Sequence, residues 1–135
     1  MTGAHLHSVG FHVDDLAATT AFYRLLGLTV PATAEAPVAA ATASSPADTA
    51  LTLTWATTPA LQPLDPDRVT DPTLRVQIEI GYDTPAGVDD AWHAATAAGH
   101  PGAVAPFDAP WGVRFAVLND PDGNRVACTA PLATV

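Results

Sequence analysis

His12 and Glu79 are the side chains with which this chain could most readily move a proton. Val9, Phe11 and Val13 alternate with Ser8, Gly10 and His12, and Val76, Ile78 and Ile80 alternate with Gln77, Glu79 and Gly81. Period-two alternation sends both titratable groups to the polar face of a strand. An imidazole titrates near neutrality and burial lifts a carboxyl toward it, so the two could work as an acid–base pair or seed an unusual metal site. The competing reading is that they hydrogen-bond each other, or that His12 meets water. His5, near the chain start, and His93 and His100, on a helix and after its cap, read as surface. No nucleophile–base–orienter triad is visible. The one cysteine, Cys128, falls in an apolar strand and reads as a buried, inert thiol without a disulfide partner, which fits a cytoplasmic protein.

Trp111 lies between Pro110 and Gly112 in a stretch without alternation, so it has no place in a core. It is the aromatic side chain best placed to stack on a planar ligand, with Phe107 as its companion, or else to make a dimer contact. Trp92 falls on a helical stripe and reads as core; Trp55 ends an apolar strand face and reads as core or interface. Arg114 would anchor an anion, or pair with Asp108 or Asp120.

These residues need elements to hold them. Strand 8–13 runs into a helix capped by Asp14 or Asp15, with Leu16, Thr20, Tyr23 and Leu25 or Leu26 on one face and Gly27 at its end. Short strands are expected near Leu28–Ala32 and Val38–Thr42, and a clear one at Thr49–Trp55. The stretch 58–73 contains Pro59, Pro63, Pro66 and Pro72 and is expected to be a stiff linker. The order then repeats: strand 76–81, a helix from Thr84-Pro85 to Gly99 with Val88, Ala91, Trp92, Ala95 and Ala98 along one stripe, a strand at Gly102–Ala105, a loop at Pro106–Pro110, and a hairpin. In that hairpin Val113–Leu118 and Val126–Cys128 flank Asn119-Asp120-Pro121-Asp122-Gly123-Asn124, where Pro121 and Gly123 suit a turn and Asp122 and Asn124 would cap its amides. The chain therefore divides into a first βαβββ module at 1–57, the linker at 58–73 and a second βαβββ module at 74–135. The fold class is α+β.

Asp120-Pro121-Asp122-Gly123-Asn124, preceded by Pro110-Trp111-Gly112-Val113-Arg114, resembles the closing hairpin of the vicinal oxygen chelate superfamily. That group contains glyoxalase I, extradiol dioxygenases, fosfomycin-resistance enzymes and bleomycin-resistance proteins. Val13-Asp14-Asp15-Leu16, with Phe22-Tyr23 and Leu26-Gly27-Leu28, resembles its first helix, and the PWG-x-R run is most similar to the metal-free antibiotic-binding branch. The resemblance implies paired βαβββ modules whose mixed sheet curls around a cleft, with helices outside, and a homodimer. It also implies four metal-ligand positions, which fall on Ser8, Thr52 or Thr54, Gln77 and Ala127. Serine, threonine and alanine do not ligate Zn²⁺, Fe²⁺ or Mn²⁺, so neither a metal nor another cofactor is expected. The expected ligand-binding residues are Trp111, Phe107, His12, Glu79, Gln77, Thr54 and Arg114. His7 would enter the cleft only if the strand slipped by one residue.

Charge narrows the choice of function. Fourteen Asp and Glu against five Arg and no Lys give a net charge of −9, which leaves no basic face for nucleic acid. No apolar run approaches the roughly 20 residues of a membrane span, and the first residues do not read as a secretory signal. The reading is a cytoplasmic, metal-free protein that binds a small hydrophobic or planar molecule, such as a natural product or antibiotic, and leans away from catalysis. The alternatives are a metal-independent enzyme using Glu79 or His12 as acid or base, and a glyoxalase- or dioxygenase-type enzyme with a displaced metal.

Overall fold

The computed structural model describes residues 4–31, 40–44 and 51–132. They form two compact units, Ser8–Val76 and Gln77–Val135, the latter joined by Met1–His7. The fold class is α+β, as the alternation of strands and helices in the sequence predicts; the second unit is βαβββ, and the first shows βαββ among the described residues.

The first unit contains β1 (His5–His12, of which the last five residues belong here), α1 (Leu16–Leu25), β2 (Ala40–Ala43) and β3 (Thr52–Ala56). Its strands run in the order β2-β3-β1. β1 is parallel to β3, with Ser8 beside Thr52 and Gly10 beside Thr54, and β2 is antiparallel to β3. The strand expected at Leu28–Ala32 is reduced to a bridge between Thr29 and Ser44; the rest of that region, and the start of the Thr49–Trp55 strand, lie outside the described residues.

Asp15 caps α1 by accepting from the Ala18 amide at 3.0 Å, and Gly27 leaves the helix at φ 97°. Leu16 and Tyr23 pack with Phe11, Val13 and Leu53 on buried Trp55. Leu25 and Leu26, one of which the stripe placed inside, are both exposed. Leu25 follows Leu16 by nine positions, which is half a turn around the helix axis.

The proline-rich stretch is not a linker. It folds into α2 (Thr58–Leu61), α3 (Pro66–Thr70) and a 3₁₀ turn (Pro72–Leu74), all within the first unit. Each begins with a proline in its first turn, where the missing N–H costs no hydrogen bond, so these prolines start helices rather than stiffen a coil. This segment also satisfies one edge of β1. Buried Arg68 donates from Nη2 to the Gly10 carbonyl at 3.0 Å and from Nε to the Leu74 carbonyl at 3.2 Å. The His12 amide donates to the Arg75 carbonyl at 2.7 Å. Residues 10 and 12 point their backbone groups away from β3, so without these partners that edge would be open.

The second unit contains β4 (Val76–Gly81), α4 (Pro85–Ala97), β5 (Gly102–Ala109), β6 (Val113–Asn119) and β7 (Arg125–Pro131), with strand order β4-β7-β6-β5. β4 is parallel to β7 and the other pairs are antiparallel, which repeats the winding of the first unit. Val88 and Ala91 of α4 meet Tyr82, Ala116, Leu118, Cys128 and Ala130, with Trp92 and Ala95 at the margin. Thr84 occupies the N-cap position but its side chain makes no capping bond. β5 continues through the expected loop as far as Ala109. Pro106 is tolerated because β5 is the edge strand and its register shifts between Val104 and Phe107. In the β6–β7 turn the capping side chain is Asp120, not Asp122 or Asn124. Asp120 Oδ1 accepts from the Asp122 and Asn124 amides, both at 2.9 Å, and Oδ2 accepts from Asn124 Nδ2. These bonds, the Asn124 side chain's first, hold its carboxyl below the usual value. Gly123 supplies φ 87°.

Gly102 has a packing role. A β-carbon there would overlap the outer edge of the Trp92 indole. Gly102→Ala should therefore destabilise the protein by about 1–3 kcal/mol through overpacking, measured by urea unfolding. Among the described residues no helix is long and apolar enough to cross a membrane.

Candidate functional site

The second unit's sheet is apolar on both faces. α4 covers the face of Ala116, Leu118, Cys128 and Ala130. The opposite face holds a separate cluster of Ala109, Phe115, Val117 and Ala127, with Val104, Phe107 and Val113 against it. Pairing arranges this second face in rows. Phe107 stands beside Phe115, Phe115 beside Thr129, and Thr129 beside Gly81; next come Val104, Val117, Ala127 and Glu79; then Asn119, Arg125 and Gln77. Successive rows are about 7 Å apart along the strands, so the aromatic and polar ends lie roughly 13 Å apart.

Trp111 stands at the aromatic end. Pro110 and Trp111 occupy the centre of a turn closed by Gly112 N donating to the Ala109 carbonyl at 3.0 Å, and Gly112 takes φ 89°. The indole lies 5.4 Å from Phe115 at 73° and 6.4 Å from Phe107 at 86°, and the two phenyl rings are 6.1 Å apart at 85°. Edge-to-face packing of this kind fixes ring orientation. Phe115 is buried beneath, while Trp111 keeps 50% of its surface exposed. At the far end Gln77 and Arg125 are buried, and Arg125 Nη1 donates to Asn119 Oδ1.

Of the expected ligand-binding residues, Trp111 and Phe107 come together, and Gln77 and Glu79 share their face. Arg114 does not join them. It points to the helix side, where it donates to Asp89 Oδ1 from Nε and Nη2 at 3.1 and 3.0 Å and to Asp108 Oδ1 from Nη1 at 3.1 Å. These pairs, the one with Asp89 first, raise its pKa further. The expected Asp108 pairing is present, Asp120 is not its partner, and Asp89 comes from α4. Thr54 and His12 belong to the first unit. Phe115, hidden in a largely apolar run, is the site residue the pattern did not reveal; His5 is on the surface as expected, its ring lying over Gly81 where a β-carbon would strike it.

His12 is buried, with Nε2 2.9 Å from Thr58 Oγ1 and Nδ1 lacking a partner. Burial first, then the positive Arg75 and Arg68, lower its pKa from 6.5, against an opposing pull from Asp14. The unfolded chain therefore binds this proton more readily than the folded one. His12 should contribute stability loss as pH falls below about 6.5, levelling off beneath its folded value. His12→Asn should flatten that part of the profile relative to the parent in urea unfolding at a series of pH values. Cys128 is buried and burial raises its thiol pKa, so it is no nucleophile.

The family's metal positions do not fit an ion. Ser8 lies beside Thr52 in the first unit. In the second, Gln77 is the cross-strand neighbour of Arg125 and Ala127 is wholly buried. A hydroxyl, an amide and a methyl offer no transition-metal ligand set, and an adjacent cation opposes one. Among the described residues no three His, Cys, Asp or Glu side chains are grouped to hold a metal.

The family model of the Glyoxalase/Bleomycin resistance protein/Dioxygenase superfamily matches residues 5–128. The chain belongs to that superfamily. No curated protein matches it. Among solved structures it is similar to a hypothetical protein from Bacillus halodurans C-125 (14% identity, covering 98% of this chain and 97% of that one, TM-score 0.70). It is also similar to an NAD-dependent benzaldehyde dehydrogenase from Legionella pneumophila (18%, 92% and 97%, 0.69) and to methylmalonyl-CoA epimerase from Mycobacterium tuberculosis (14%, 93% and 87%, 0.69). At these identities the likeness is one of fold.

Proposed function

We propose that this protein binds a small hydrophobic or planar molecule, of the natural-product or antibiotic kind, on the second unit's sheet face, without a metal and without turning it over. The observation that carries this reading is Trp111, half exposed above Phe107 and buried Phe115. A monomer gains little by holding a large ring there, whereas a flat ligand gains a stacking surface. Val117 and Ala127 are buried behind these rings, so the exposed apolar surface is concentrated at the Trp111 end, which suits the flat part of such a molecule. Micromolar affinity asks for only about 8 kcal/mol. A cytoplasmic homodimer is part of the same proposal; Leu6 and Ile78, at 64% and 41% exposure, are apolar surface that a second copy would cover.

A thermal-shift panel of planar natural products and antibiotics tests the reading. At least one compound should raise the melting temperature, and Trp111→Ala should weaken its binding by about 1–3 kcal/mol with the unliganded melting temperature little changed. Unaltered affinity would remove Trp111 from the site.

A further inference from the structure

The first unit contains a crevice of its own, lined by none of the residues of that sheet face. It opens between the end of β1 and α1, has a volume of about 400 Å³, and is lined by Phe11, His12, Phe22, Tyr23 and Arg75 among others. That volume lies at the small end of the ~300–1,000 Å³ range of small-molecule sites.

Its walls are aromatic and one of them is fixed. Tyr23 stacks on buried Trp55 at 5.0 Å and 21°, meets Phe11 at 6.2 Å, and takes the edge of Phe22 at 5.2 Å and 86°. Phe22 leaves 54% of its surface exposed. The one formal charge in the lining is Arg75, because His12 is kept neutral by burial. The Arg75 backbone is tied to β1 through its carbonyl, which accepts from the His12 amide. Its guanidinium, by contrast, is barely used. Nη2 donates to Asp14 Oδ1 at 3.2 Å, the two side chains being 42% and 81% exposed, and among the described residues its other N–H groups have no acceptor. An exposed bridge of this kind is weak, and a bidentate carboxylate would be a better partner for the guanidinium than one Asp14 oxygen.

We propose that this crevice is a second small-molecule site that takes a monocyclic aryl carboxylate, its ring against Phe22 and Tyr23 and its carboxylate on Arg75 in place of Asp14. The overall negative charge does not forbid an anion here, since charges beyond about 8 Å are screened at physiological salt. A ligand this small in an open crevice should bind with a Kd on the order of 1 mM.

Phenylacetate is the probe, titrated against the full chain and followed by ligand-observed NMR. Saturable binding is expected, weakened at least tenfold by Arg75→Gln and several-fold by Phe22→Ala, and unchanged by Trp111→Ala, which separates this site from the sheet face. Benzylamine, with the same ring and the opposite charge, should bind at least tenfold more weakly. No saturable binding of phenylacetate, equal binding of benzylamine, or an affinity indifferent to Arg75→Gln would overturn the proposal. If Arg75→Gln does not fold, Phe22→Ala decides, since its ring is exposed; unchanged binding there also overturns it.

Discussion

Arg68→Ala should lower the stability of this protein by about 3 kcal/mol, the sum of a buried and a half-buried carbonyl losing their donor and a cavity where the side chain lay. Arg68 is buried, and its Nη2 and Nε donate to Gly10 and Leu74 from a position 58 residues beyond Gly10. Water cannot readily replace it, so the Gly10 carbonyl would be left at a strand edge without a partner. Arg68→Lys is the informative companion. A single ammonium keeps the charge but lacks the planar fork that reaches two carbonyls at once, so lysine should recover less than half of the loss. Urea unfolding of the three proteins reads the result, and equal stability of arginine and alanine would show that α3 and the 3₁₀ turn do not brace β1.

Trp55→Ala should have a larger effect still, about 3–5 kcal/mol. The indole is 1% exposed, lies beside Phe11 in the β1–β3 register and stacks on Tyr23. Among the described residues it is the largest fully buried side chain, and the alanine variant leaves a void that α1 cannot fill without moving. Among the described residues its Nε1 has no hydrogen-bond partner, so Trp55→Phe removes an unsatisfied donor together with some packing and should cost about 1–2 kcal/mol. A loss as large for phenylalanine as for alanine would mean that Nε1 has a partner, such as a buried water.

Both residues show what the sequence discloses. Trp55 was half readable: alternation of Leu51, Leu53 and Trp55 assigned it to an apolar face, core or interface, and the structure makes it core while Leu51 stays exposed. The second module's hairpin was readable, since Pro121 and Gly123 restrict the turn geometry. Arg68 was not. Its partners are set by tertiary placement, and a proline at a helix start looks the same in sequence as a proline in a linker. The same limit applied at the candidate site. Trp111 and Phe107 stood out because Pro110 and Gly112 interrupt the pattern. Phe115 did not, because apart from Arg114 the run Val113–Leu118 is apolar: its odd residues face one cluster, and Ala116 and Leu118 the other, so parity gives little signal. Arg114 was expected beside a near neighbour and found Asp108, but its stronger hold is on Asp89, 25 residues away on α4. His12 and Thr58 are 46 residues apart, and nothing local to either predicts their contact.

The ligand is proposed to sit at the aromatic end of the second unit's sheet face opposite α4, against half-exposed Trp111. The most direct measurement is a backbone and indole amide shift map of the ¹⁵N-labelled protein, titrated with the tightest compound from the thermal-shift panel. The account predicts the largest changes at the Trp111 indole, at Phe107 to Val113, and at Phe115, Val117, Ala127 and Thr129. Changes confined to α4 and the residues packed beneath it, with Trp111 unmoved, would contradict it.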